Sequence, residues 1–164
     1  MCIRDRPTLD QDEVSKYGIA DGIQALKIVR QHAAEWGLVS NRIGVLGFSA
    51  GAMVASGVLL NANATERPSF AALLYGAPFG KPPAIPKDLP PVFMAWAQDD
   101  GLVLDFLTRF RDALQAAGHK PEVHVFAGGG HGFGMKTQGT SSDHWLEELY
   151  FWLEARGLTR PAAR

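Results

Sequence analysis

Cysteine is all but absent: Cys2 is the single one among 164 residues, so no internal disulfide can form, and one thiol says nothing about compartment. Charge of one sign is not in excess either. Sixteen basic residues stand against seventeen acidic ones, a balance that gives no support to nucleic acid, an anionic membrane or a polyanionic substrate as partner. No apolar stretch reaches the roughly 18 to 20 residues of a membrane span, no internal repeat occurs, and no signal peptide is visible, which leaves localisation open. What remains, 46% hydrophobic and 20% charged residues, is the composition of an ordinary globular chain able to bury a core as one domain. Residues 1–6 have neither helical nor strand period and resemble the translation of a library adapter, so they are set apart as a non-native scar.

Hydrophobic periodicity lays out the rest. From Asp10 to Trp36 the residues Ile19, Ile23, Leu26, Val29, Ala33 and Trp36 recur at steps of three and four, the mark of one helix face, with Gly37 as its stop. Apolar runs predict strands at 42–47, 70–75, 92–97 and 122–126, and helices at 50–60, 103–117 and 143–156. Residues 76–91, with six prolines, read as an irregular excursion that can wall a substrate pocket. Alternating strands and helices joined by short loops predict an α/β fold, a parallel sheet of about four strands with helices on both faces. Four strands, and a long helix with no strand before it, are little for this architecture, and the expectation is that upstream strands belong to it.

One serine looks chemically armed. Gly47-Phe48-Ser49-Ala50-Gly51 joins an apolar run to a small-residue helix, the pattern of a nucleophile elbow, in which glycines on both sides let strand and helix nearly collide. Such a turn lifts the serine Oγ above the sheet and frees the Ala50 N–H for a developing oxyanion. An elbow serine needs a base and an acid to orient it, and α/β-hydrolases supply them downstream as acid, then histidine. Asp99-Asp100 follows the third predicted strand and His131 the fourth, each just past a C-terminal strand end, where open parallel sheets place their chemistry. Adjacent residues point to opposite sides, so only one aspartate can orient His131; the other reads as structural, a carboxylate capping the following helix.

The stretch Asp21 to Leu26 through Glu35-Trp36-Gly37, followed by Asn41 to Gly51, resembles the xylan-esterase-like and dienelactone-hydrolase-like α/β-hydrolases, and His131-Gly132-Phe133-Gly134 with Ser142-Asp143-His144-Trp145 resembles their C-terminal end. The resemblance covers about Asp10 to Leu153. It implies Ser49 as nucleophile, Asp100, in Asp100-Gly101-Leu102-Val103, as the orienting acid, and His131 as the base. It further implies residues 7–164 as the C-terminal part of a single α/β-hydrolase domain, because the group's upstream Gly-rich loop, donor of the second oxyanion N–H, has no counterpart here. On that reading the Ile43 to Gly47 strand is a bare sheet edge, and the chain alone is poorly soluble with little activity.

Bland readings stand beside these. His32, His119, His124 and His144 read as solvated or capping residues, with no pair at metal-ligand spacing supported by cysteine or carboxylate. Gly128 to Gly134 misses the phosphate-loop register and reads as the mobile loop that lets His131 reach Ser49. Trp36, Trp145 and Trp152 read as core or rim aromatics, and Trp96 and Phe79 as candidates to line an acyl or aryl pocket. The expected function is a serine esterase acting on a small ester such as an acylated sugar, needing neither metal nor organic cofactor. Its rivals are a serine peptidase of the same fold and a non-catalytic binding module.

Overall fold

Runs that are apolar at every position suit strands covered on both faces, and two such runs form the centre of the sheet. The structure, a computed structural model, describes residues 11–78 and 84–159. In chain order the elements are α1 (Gln11–Gln31), β1 (Val45–Phe48), α2 (Ala50–Asn61), β2 (Ala71–Leu74), β3 (Val92–Ala97), α3 (Leu104–Ala116), β4 (Glu122–Phe126) and α4 (Trp145–Ala155), with 3₁₀ turns at Ser40–Arg42 and Ser141–His144. The strands pair in parallel in the order β1-β2-β3-β4. Every residue of β2 and β3 is buried, whereas β1 and β4 are half-exposed edges of the described sheet.

Side-chain alternation assigns the layers. On β3, Phe93 meets Trp152 of α4 at 5.6 Å between ring centroids, while Trp96, three residues on and so on the opposite face, groups with Leu104 and Thr108 of α3. On β1, Phe48 meets Trp145 of α4 at 5.5 Å, while Gly47 faces α2. Thus α2 and α3 cover one face and α4 the other. Leu59, Leu73, Phe93 and Phe110 are among the fully buried side chains between these layers, each contributing about 1.5–3 kcal/mol over an exposed position. Helix α1 lies outside α2, with Gly18 against Val54, Gly22 against Val58 and Gly57 against Ile19, so the glycines that blur its start in the sequence are its packing seam.

β3 and β4 run as expected to the residue. β1 does not: expected from Arg42, it starts at Val45 because Arg42 N–H bonds to Val39 O and closes the preceding 3₁₀ turn. Trp36 departs further from expectation. Expected on the face of the long helix, it lies past the helix end, half exposed at the rim and stacked on His32, because α1 ends at Gln31 and residues 32–37 form looser turns. Residues 84–91 of the proline-rich excursion are tied back to the body, Ile85 and Leu89 against the core and the Pro86 carbonyl to His119.

Candidate active site

The turn between β1 and α2 forces Ser49 into φ +50°, ψ −117°, a conformation that costs a non-glycine residue of order 1–3 kcal/mol and persists only where the surroundings impose it. Its N–H bonds to the Leu74 carbonyl of β2, and its own carbonyl accepts the N–H of Ala52 and Met53. The Oγ is thereby left free of the helix and lies 2.8 Å from Nε2 of His131. On the other side of the imidazole, Nδ1 lies 2.8 Å from Oδ2 of Asp100. A carboxylate can only accept, so Nδ1 carries the proton and Nε2 presents a lone pair to the serine hydroxyl.

Burial grades along this chain of hydrogen bonds. The Asp100 side chain is fully buried and that of His131 is 28% exposed, so the carboxylate is dry while the imidazole reaches solvent. Asp100 is fixed as well as buried: its second oxygen accepts the N–H of Leu102, and its own N–H bonds to Ala97 O at the end of β3. Ser49, Asp100 and His131 therefore come together, each from just past the C-terminal end of a different strand. Ala50 is the first residue of α2, where a backbone N–H has no intrahelical acceptor.

The profile of the dienelactone hydrolase family matches residues 8–153. The chain belongs to the dienelactone hydrolase family. An acetylxylan esterase of Xylanibacter ruminicola is 27% identical over 169 aligned residues, 84% of this chain and 35% of the relative, so the chain spans about a third of that relative's length. The solved structure of an acetyl ester-xyloside bifunctional hydrolase from Caldicellulosiruptor lactoaceticus is 26% identical, with a TM-score of 0.73 over 85% of this chain and 66% of that one. The esterase Est2 of Thermogutta terrifontis, with propionate bound, shares the fold at 22% identity and a TM-score of 0.69, over 88% of this chain and 67% of that one. The α/β-hydrolase fold follows from these neighbours and from the four-stranded parallel sheet.

Several site features of this family member differ from what its sequence suggests. Gly47 is needed, since a Cβ there would sit 2.2 Å from Gly51 O, but a Cβ on Gly51 would meet nothing within 4 Å among the described residues. The second pinch is Gly76, whose Cβ would fall 2.3 Å from Ser49 O. Tyr75 precedes it with φ +38°, its ring edge-on to His131 at 5.4 Å and to Phe133 at 4.7 Å. Burial raises the Tyr75 phenol above its ordinary value, and a backbone hydrogen bond from Gly134 pulls the other way.

The glycine-rich loop is tethered, not loose. Asp99 accepts the N–H of Gly129 and Gly130, Gln138 donates to Gly129 O, and Trp145 donates to Gly134 O at 2.7 Å. Asp99 thus holds this loop and does not cap α3. Trp96 is buried and lines a groove with Leu104, Thr108 and Arg111 that Ser49 does not line; Phe79 lies outside the described residues. The other histidines have local partners: Glu35 for His32, Pro86 O for His119, Glu122 and Glu148 for His124, and Glu147 for His144. Among the described residues no group of three His, Cys, Asp or Glu side chains could hold a metal ion, and no helix is long and apolar enough to cross a membrane.

Proposed function

We propose that this protein hydrolyses carboxylic esters through Ser49, His131 and Asp100, with acetyl or other acyl groups on a sugar as the substrate class. The observation that carries the reading is the unbroken path from Ser49 Oγ through both imidazole nitrogens to a buried carboxylate, with two contacts of 2.8 Å. The esterase relatives favour an ester over a peptide bond, and the words acetylxylan and acetyl ester-xyloside in two of their names suggest the sugar. A binding module would have no use for so strained a serine.

In this mechanism Ser49 Oγ attacks the ester carbonyl carbon while its proton passes to His131 Nε2. The carbonyl π electrons move to oxygen, and the Ala50 N–H at the start of α2 stabilises the oxyanion that forms. The tetrahedral intermediate collapses, the C–O bond to the alcohol breaks, and His131 returns the proton to the leaving oxygen. Water then attacks the acyl-serine, losing its proton to His131. The second collapse releases the acid and restores the Ser49 hydroxyl. Asp100 holds the Nδ1 proton and stabilises the imidazolium at both stages.

The test pairs a fluorophosphonate probe with hydrolysis of aryl acetates and acetylated xylo-oligosaccharides. Wild-type protein is labelled at Ser49, and Ser49→Ala loses both labelling and hydrolysis. Persistent labelling of the variant at another serine would overturn the assignment. Activity on aryl acetates without acetate release from the oligosaccharide would remove the sugar from the reading while leaving the esterase.

A further inference from the structure

Asp99 and Asp100 are adjacent acids that grip one loop in two different ways. Asp100 accepts the imidazole Nδ1–H of His131, whereas Asp99 accepts the backbone N–H of Gly130 at 2.8 Å and of Gly129 at 3.3 Å, the two residues before that histidine. We propose that Asp99 is a positioning residue for His131, setting the backbone from which the base reaches Ser49. The proposal rests on the esterase reading given above.

The physical need for such an anchor lies in the loop's conformation. Gly129, Gly130, Gly132 and Gly134 take φ of +145°, +63°, +81° and +47°, so no side chain restricts the backbone on either side of His131. Glycine visits these regions and their mirror images about equally, and a run of them has no intrinsic preference for the shape seen here. Its geometry must come from outside. After the histidine, Trp145 holds the Gly134 carbonyl, and the Tyr75 and Phe133 rings pack edge to face. Before it, Asp99 supplies the one charged acceptor among the described residues, and charge-assisted hydrogen bonds are roughly twice as strong as neutral ones. Gln138 holds the other side of the same unit through the Gly129 carbonyl.

Loss of the acceptor leaves two N–H groups free to turn toward water, and the loop relaxes by rotation about its glycines. A displacement of about 1 Å in a reacting group costs on the order of 10²-fold in rate, without touching the groups that bind substrate. Asp99→Ala therefore lowers kcat about 10²-fold with KM unchanged. Asp99→Asn keeps a carbonyl oxygen for the Gly130 N–H and recovers most of the loss. The pattern is opposite to that of Asp100, where asparagine is itself the damaging change.

The experiment measures kcat and KM on an aryl acetate for the full chain and both Asp99 variants. It also records, without substrate, the downfield NMR signal of the His131 Nδ1 proton shared with Asp100. The expected result is a displaced or broadened signal in Asp99→Ala and a wild-type signal in Asp99→Asn, in parallel with kcat. A folded Asp99→Ala with wild-type kcat and an unmoved proton overturns the proposal, as does Asp99→Asn as impaired as Asp99→Ala in both readouts. Should Asp99→Ala fail to fold, Asp99→Glu serves. It keeps the charge but moves the carboxylate by one methylene, so kcat falls and the proton shifts, and wild-type values of both overturn the proposal. If the wild type hydrolyses no ester, the functional reading fails by itself, and the proton signal still decides the role of Asp99.

Discussion

Replacing Gly47 by alanine tests whether the elbow's geometry, and not its mere composition, sets the reaction rate. The new Cβ would lie 2.2 Å from Gly51 O, and real Cβ atoms essentially never approach closer than 3.0 Å, so strand and helix must part by at least 3.0 − 2.2 = 0.8 Å. The atom in the way is backbone, so no rotamer change relieves the clash. Overpacking of this kind costs typically about 1–3 kcal/mol of stability. Because the shift occurs two residues from Ser49, a nucleophile displaced by nearly 1 Å predicts a loss of about 10²-fold in kcat. Gly51→Ala is the internal control: its Cβ meets nothing within 4 Å among the described residues, and alanine in a helix is favoured over glycine by about 0.5–1 kcal/mol. The assay is aryl acetate hydrolysis with thermal unfolding of each variant. Gly47→Ala should be slow and less stable, and Gly51→Ala active and no less stable. Equal damage from the two substitutions, or none from Gly47→Ala, would refute the reasoning.

Asp100→Asn offers a donor where Nδ1–H needs an acceptor, favours the wrong His131 tautomer, and should lower kcat by on the order of 10⁴ in a protein that still folds; circular dichroism and steady-state kinetics check it. Trp145→Phe keeps a ring against Phe48 but orphans the Gly134 carbonyl, and should cost about 1–3 kcal/mol in denaturant unfolding. Arg67 holds the Asp88 carboxyl below its ordinary value, chiefly through their hydrogen bond. A folded-state value below the unfolded one makes the contribution present above the unfolded value and lost as pH falls through the lowered one. Asp88→Asn should therefore lower stability slightly at neutral pH and flatten the acid limb, the variant and wild-type profiles meeting below the lowered value, which a series of thermal melts would reveal.

Legibility in the sequence followed the physics of each signal. Val92–Ala97 could be read to the residue because Pro91 breaks the chain on one side and a polar Gln98-Asp99 ends the apolar run on the other. The order serine, acid, histidine was legible because each residue follows its own apolar run. Close approach between distant segments was not. Gly76 must be glycine because of the Ser49 carbonyl, and nothing beside Gly76 in the sequence says so. The same holds for Asp99, whose partners are backbone amides of another loop, invisible in any pattern of side chains. Trp36 misled because periodicity continues through 32–37 although the regular helix has ended.

The parallel order β1-β2-β3-β4 bears on how activity is gained as the chain folds. Ser49 and His131 are 82 residues apart in the chain and meet only across a sheet whose inner strands are already in register. Parallel strands close large loops before any pairing rewards them, so such contacts form late and together. On the proposed mechanism, a nascent or partly refolded molecule without β4 would have the strained serine but no base, and would be catalytically silent. On that mechanism, regain of ester turnover on refolding cannot run ahead of the docking of β4.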